Sequence, residues 1–251
     1  MGTPRLKHDL VADLDAGDVV VRYPSSDIAT ARAAVDVVRA LWPVVEAYLG
    51  ARWSGRLRVD LLAEARASGA NPAAATLRHS VRGVQQRSPA TAGVLSYQLG
   101  QVLWYAATEE AEYRGPAPRS PDWLLTAALT PLTHAWSERD TWSDHLAQHV
   151  QRAVRRPPLA EEALSRHGEL PPGTLALAVS QSLARGRSLQ QRHPEWVRAL
   201  RAQLAAEPQW GAWEALEAVT HADAATWRER FAADLEVWRG DDDEWRPGVV
   251  T

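Results

Sequence analysis

The period of the apolar positions changes along the chain, and the changes mark out its organisation. Residues 18–23 (Asp-Val-Val-Val-Arg-Tyr) are a β-branched run stopped by Pro24, which predicts a short strand. Ser26-Asp27 then offers an N-cap. Ala34, Val37, Val38, Leu41, Val44 and Val45 recur at helical spacing, so a long helix is expected to Tyr48, with Gly50 just past its end. Alternation returns over 56–63 and predicts a second strand. The stretch 64–88 keeps neither period. Its Ser-Gly-Ala-Asn-Pro run reads as a loop, and Leu77 to Gln86 has room for one or two short strands.

From Pro89 onward the pattern is helical almost throughout. A helix is expected from Ser88-Pro89, a cap followed by a first-turn proline, to about Tyr113. Another should run from Asp122 to about Trp136, followed by helices at 141–155, 159–167, 173–191, 195–206, 209–219 and 223–238. The run Asp241-Asp242-Asp243-Glu244 opens an acidic tail expected to fray. This order predicts an α+β, mostly helical fold. A small N-terminal α/β lobe with a sheet is expected over 1–113, a helical C-terminal lobe over 114–240, and the tail over 241–251.

Composition narrows the classes. Within 251 residues there are 27 arginines but a single lysine, Lys7; Ile28, Phe231, Asn71 and Met1 are each the only one of their kind. That bias fits a GC-rich bacterial genome, so the arginines are not read as a nucleic-acid signal. A formal charge of −3 agrees. Cysteine is absent, which removes disulfides, thiolate metal sites and a Cys nucleophile. The N-terminus lacks the basic-then-apolar pattern of a secretory signal, and no run of apolar residues is long enough to span a bilayer. The expectation is a cytoplasmic protein without nucleic-acid or membrane partners.

One segment carries a resemblance. Val94-Leu95-Ser96-Tyr97-Gln98-Leu99-Gly100-Gln101-Val102-Leu103-Trp104 resembles the active-site helix of the gluzincin metallopeptidases of the thermolysin-like (peptidase MA) superfamily, which reads His-Glu-Leu-Gly-His-Val-Leu. The frame persists as Leu99, Gly100, Val102 and Leu103. Pro121-Asp122-Trp123-Leu124-Leu125-Thr126-Ala127 is similar to the second half of the signature, with Thr126 where the third zinc ligand would stand. Upstream, a strand, a long helix ending at Leu49-Gly50 and the strand 56–62 look like the family's N-terminal lobe. Downstream, Val179-Ser180-Gln181-Ser182 resembles a tyrosine-led motif, with Val179 in place of the tyrosine. The run 214–219, continued through Trp227 and Leu235, looks like the family's last helices. The resemblance spans most of the chain and implies a gluzincin-like fold.

The chemical positions have all changed. A catalytic zinc needs three His or carboxylate ligands and an open position for water. Tyr97 offers instead a phenol that stays protonated at neutral pH, while Gln101 and Thr126 offer neutral oxygens suited at best to hard cations. Gln98 stands at the general-base position, and an amide takes no proton from water. The resemblance therefore implies a pseudopeptidase without cofactor or peptidase activity. It would bind a peptide, protein or small ligand in the former cleft, with Trp123 and Val179 supporting it. A hydrogen-bonded cluster of Tyr97, Gln101 and Thr126 would be one replacement for the metal; groups facing a wet cleft would be the other.

Other features have plainer readings beside functional ones. His145 and His149 stand at i and i+4, a spacing that can clamp a metal, on what is otherwise the polar stripe of an amphipathic helix. Glu109, Glu110 and Glu112 could serve acid/base work if a cleft raised one pKa, but solvated carboxylates are the commoner case. Neither a nucleophile elbow nor a nucleotide-binding glycine loop occurs. Of the 12 tryptophans, Trp123, Trp196, Trp227 and Trp238 fall at apolar helical positions and are expected in the core, because one Phe and one Met leave little else to fill it. Trp210 and Trp213 are placed nearer a surface. Two other readings stand: an enzyme with a rebuilt site in the same cleft, and a helical interaction module that would lack the strands near 18–23 and 56–63.

Overall fold

Two apolar strands seed the sheet. In the computed structural model, which describes residues 11–62, 68–86, 89–115, 118–134 and 141–240, β2 (Val19–Pro24) and β3 (Leu57–Leu62) pair in parallel with Val21 opposite Val59. Each buries alternate residues, Val19, Val21 and Tyr23 on one and Leu57, Val59 and Leu61 on the other, as a period of two requires. Parallel neighbours need a long crossover, and α1 (Ile28–Leu49) provides it. Its apolar stripe of Ala31, Ala34, Val35, Val38, Leu41, Val45 and Leu49 is buried. Gly50 closes the helix at φ 63°, a left-handed conformation that glycine adopts without penalty. At the other end, Asp27 makes no side-chain cap.

The sheet has more strands than two. β1 (Val11–Asp15) lies antiparallel beside β2, and β5 (Thr76–Ser80) lies parallel beside β3. β4 (Gly69–Asn71) is antiparallel to β5 and completes the order β1-β2-β3-β5-β4. The Ser-Gly-Ala-Asn-Pro run expected as a loop thus includes an edge strand. It is joined to the sheet by backbone pairing and buries no full side chain, so no alternation announces it. After β5 the chain forms a helix, α2 (Val81–Gln86), and not a second strand.

α3 (Pro89–Ala107) carries the motif segment. It stops short of Tyr113 because the Thr108 hydroxyl folds back onto the Trp104 carbonyl at 2.8 Å and Glu109 takes φ 53°. The chain divides into two compact units, Met1–Leu103 and Trp104–Thr251. The limit expected at 113 lies past the end of α3.

The second unit is helical: α4 (Asp122–Leu129), α5 (Thr141–Val154), α6 (Glu161–Ser165), α7 (Pro172–Arg192), α8 (Trp196–Ala206), α9 (Ala212–Thr220) and α10 (Ala224–Gly240). α4 gives way at Pro131 to a 3₁₀ turn over Thr130–Thr133; the rest of the helix expected to Trp136 lies outside the described residues. α7 packs against α4, α5, α6 and α10. One core cluster joins Val150, Ala153 and Val154 to Ala184, Phe231, Leu235 and Trp238. Trp123, Trp196, Trp227 and Trp238 are all buried, as their helical positions imply, while Trp210 and Trp213 are half-buried. Among the described residues no helix is long and apolar enough to cross a membrane. The fold is α+β and mostly helical.

A single buried cation ties this unit together. Arg119 is 2% exposed, and its guanidinium donates to the carbonyls of Glu207 at 3.0 Å and Trp210 at 2.9 Å, and also to those of Thr108 and Leu204. Leu204 and Glu207 stand at the end of α8, where helix carbonyls lack partners of their own.

α4 and α7 approach closely at Gly186, where a Cβ would stand 2.9 Å from the Ala127 Cβ. Gly186→Val should therefore destabilise the protein by about 2 kcal/mol through overpacking. Urea denaturation followed by circular dichroism checks this, with an unchanged midpoint as the contrary result.

Candidate functional site

The motif frame is core packing first. Leu95, Leu99, Val102, Leu103 and Trp104 on α3 are 0–1% exposed, and the Ser96 hydroxyl bonds back to the Ala92 carbonyl at 2.8 Å. Tyr97 and Gln101, one turn apart, are half-buried, whereas Gln98 is only 4% exposed. Its Oε1 is buried without a hydrogen-bond partner. A carboxylate could not be left in that condition; a neutral amide endures it at a cost of about 1–3 kcal/mol.

Thr126 sits on α4 and is 7% exposed. Its Oγ1 lies 3.4 Å from Nδ1 of His167, whose Nε2 lies 3.3 Å from the Ser182 hydroxyl on α7. The Ser182 proton is already donated to the Ala178 carbonyl at 2.7 Å. His167 must then carry its proton on Nε2 and donate it to Ser182, leaving Nδ1 to accept from Thr126. The His167 backbone N–H donates to the Asp122 carboxylate at 2.6 Å, which places the ring. Burial holds the His167 pKa below the ordinary imidazole value, with the Asp122 charge pulling weakly the other way. Thr126 thus belongs to a neutral, closed chain of hydrogen bonds within the helical unit.

These positions do not fit a zinc ion. A phenol, two carboxamides and an alcohol supply no anionic or imidazole donor, and the alcohol proton is committed to His167. Among the described residues no three His, Asp or Glu side chains stand together so as to hold a metal.

The supporting residues expected at the cleft have clear surroundings. Trp123 is 1% exposed, lies 5.4 Å from the Trp213 ring and is covered by the Arg185 guanidinium at 5.1 Å, while its Nε1 has no partner. Val179 is half-buried on α7. The three residues after it are fully buried, and each holds a different segment. Ser180 meets His149, and Ser182 meets His167. Gln181 accepts from the Leu159 N–H at 2.8 Å and donates to the Pro157 carbonyl at 2.9 Å.

The His145 and His149 ring centroids lie 4.5 Å apart with their planes tilted by 58°, and the His134 ring lies 4.6 Å from His145, tilted by 43°. The Ser180 hydroxyl donates to the Ala176 carbonyl, so His149 Nδ1 donates to Ser180, 2.9 Å away. The histidines form a row of tilted rings that ends on a serine, and among the described residues they belong to no metal-holding group of three. Burial first, then the neighbouring His145 and Arg152 charges, pushes His149 down to about 4.

The acidic group also differs from its plain reading. Glu110 is half-buried and accepts from the Thr108 hydroxyl at 3.2 Å and from Ser120, which in turn receives the Trp104 indole N–H at 2.8 Å. Burial raises its pKa, opposed by those donors and by the Arg119 charge. Only Glu109 and Glu112 are solvated. Sequence reasoning passed over His167, His134 and Arg119, and named Ser182 only as part of the Val179–Ser182 run. The one signal available was Ser-Gln-Ser inside an otherwise apolar helix, three polar groups that cannot be buried unpaired.

Two consequences are measurable. The folded state holds neutral imidazoles at His149 and His167, while the unfolded chain takes up protons near pH 6.5. Stability is therefore complete above pH 6.5 and drains as the pH falls towards 4. Melting temperatures recorded from pH 7 to 4 should fall steadily, and His149→Gln should remove part of the fall; an identical slope in the variant counts against it. Gln98→Met removes the orphaned acceptor and keeps the volume, so chemical denaturation should show a gain of about 1 kcal/mol.

No protein-family model matches this chain, and no curated protein matches it.

Proposed function

We propose that the chain is a pseudopeptidase: a gluzincin-like protein without zinc or general base that acts by binding a peptide, protein or small ligand through the former substrate cleft. The observation that carries this reading is the donor set on α3 and α4. Tyr97, Gln98, Gln101 and Thr126 occupy the positions where the resemblance implies two imidazoles and two carboxylates. Gln98 is buried, and Thr126 is committed to His167. The element order supports it as well, since the strand–helix–strand unit β2-α1-β3 precedes the motif helix and α4 follows. Those two strands weigh against the all-helical interaction module.

The reading is tested by putting the ligands back. The variant carrying Tyr97→His, Gln98→Glu, Gln101→His and Thr126→Glu should take up one zinc per chain, measured by elemental analysis after dialysis. The triple variant that keeps Thr126 should bind far less. The wild-type chain, prepared from zinc-replete medium, should hold a small fraction of an equivalent and cleave no casein. A folded quadruple variant with no more zinc than the triple would show that α3 and α4 lack the family's geometry. Stoichiometric zinc in the wild-type chain, or cleavage sensitive to phenanthroline, would overturn the absence of chemistry.

A further inference from the structure

A groove within the first unit is lined by none of the motif residues. It has a volume of about 360 Å³ and is lined by Arg39, Trp42, Pro43 and Glu46 of α1, by Asp18, and by the segment Trp53-Ser54-Gly55. The α1 residues stand at i, i+3, i+4 and i+7, one face of the helix. The volume falls within the range of about 300–1,000 Å³ usual for small-molecule sites.

Its wall is a pair of parallel indoles. Trp42 and Trp53 stack with centroids 5.1 Å apart and planes 13° apart. Glu46 fixes both, its Oε1 accepting from Trp42 Nε1 at 3.1 Å and from the Trp53 backbone N–H at 2.8 Å. Gly55 lies against the Trp53 ring so closely that a Cβ there would fall 2.3 Å from it. Both rings nevertheless stay partly exposed. An aromatic pair held by a carboxylate, a stack and a bare backbone is preorganised, and binding to it costs little ordering entropy.

The polar groups around the indoles are already held by partners. Arg39 and Asp18 pair at 2.7 Å with both side chains about half exposed (48% and 52%), so they present donors and acceptors side by side without net charge. Glu46 accepts two neutral N–H donors and keeps its negative charge. Pro43 has no N–H, so it gives no helical hydrogen bond to the Arg39 carbonyl one turn before it. Trp53 Nε1 adds a donor. Flat apolar faces flanked by mixed donors and acceptors suit a ligand with apolar C–H faces and equatorial hydroxyls.

We propose that this groove is a binding site for a neutral saccharide, with a pyranose ring packed on the Trp42–Trp53 pair and its hydroxyls shared among Asp18, Arg39 and Glu46. This site is independent of the fate of the metal positions. The experiment is titration of the ¹⁵N-labelled full chain with cellobiose, maltose and chitobiose in turn, following the indole N–H signals by NMR. Trp42→Phe and Trp53→Phe assign the two signals. At least one sugar should shift both signals saturably, with a Kd of about 1 mM. Trp53→Ala should weaken that binding about tenfold or more, Trp53→Phe should retain most of it, and Trp142→Phe should leave it unchanged. The proposal fails if none of the three sugars shifts the pair, if other indoles shift equally, or if tetramethylammonium saturates the pair while the sugars do not.

Discussion

A guanidinium with almost no solvent around it sets the terms for the helical unit. A charge removed from water is costly unless its donors are met, and Arg119 directs four of its five N–H donors to carbonyls from three separate stretches of chain: the end of α3, the end of α8, and the turn before α9. Its counter-charge is Glu110, itself raised in pKa by burial and steadied by Ser120 and Thr108. Arg119 and Glu110 are therefore an electrostatic closure, and the carbonyls left without helical partners at the end of α8, just before Pro208, find their donor in Arg119.

α7 takes up the same problem in another form. Its polar run could have been a weakness in a buried helix. Each member instead meets a group that needs it: an imidazole from α5, the backbone of 157–159, and the imidazole that also holds Thr126. Small residues allow the approach, Gly186 against Ala127 foremost. Apolar packing, close contact and hydrogen bonding agree on a single position for this helix, which is the consistency expected of a well-specified fold.

The parts of the fold legible in the sequence were those with a strong period. β2, α1 and β3 show it because each buries one complete face. β1 and β4 do not, since an edge strand contributes backbone bonds and few buried side chains, and β1 is exposed or half-exposed at every position. The stop of α3 before Tyr113 was hidden because a threonine side chain and a left-handed glutamate produce it, and neither alters the apolar pattern. For the candidate site, residue types at Tyr97, Gln98, Gln101 and Thr126 could be judged from chemistry alone. What Thr126 actually bonds could not, because His167 stands 41 residues away in a short turn without periodicity. Glu110 and its neighbours looked alike on paper, and only the fold separates the buried one from the two in water.

The polar trio on α7 has a mechanical meaning. Consecutive helical residues point about 100° apart, so Ser180, Gln181 and Ser182 grip three directions at once, as the wards of a key do. A small twist or slide of the helix cannot trade one bond for another; it forfeits all of them together. Such an element tolerates no graded adjustment. Any signal passed through this half of the molecule would have to travel around α7 or unseat it whole.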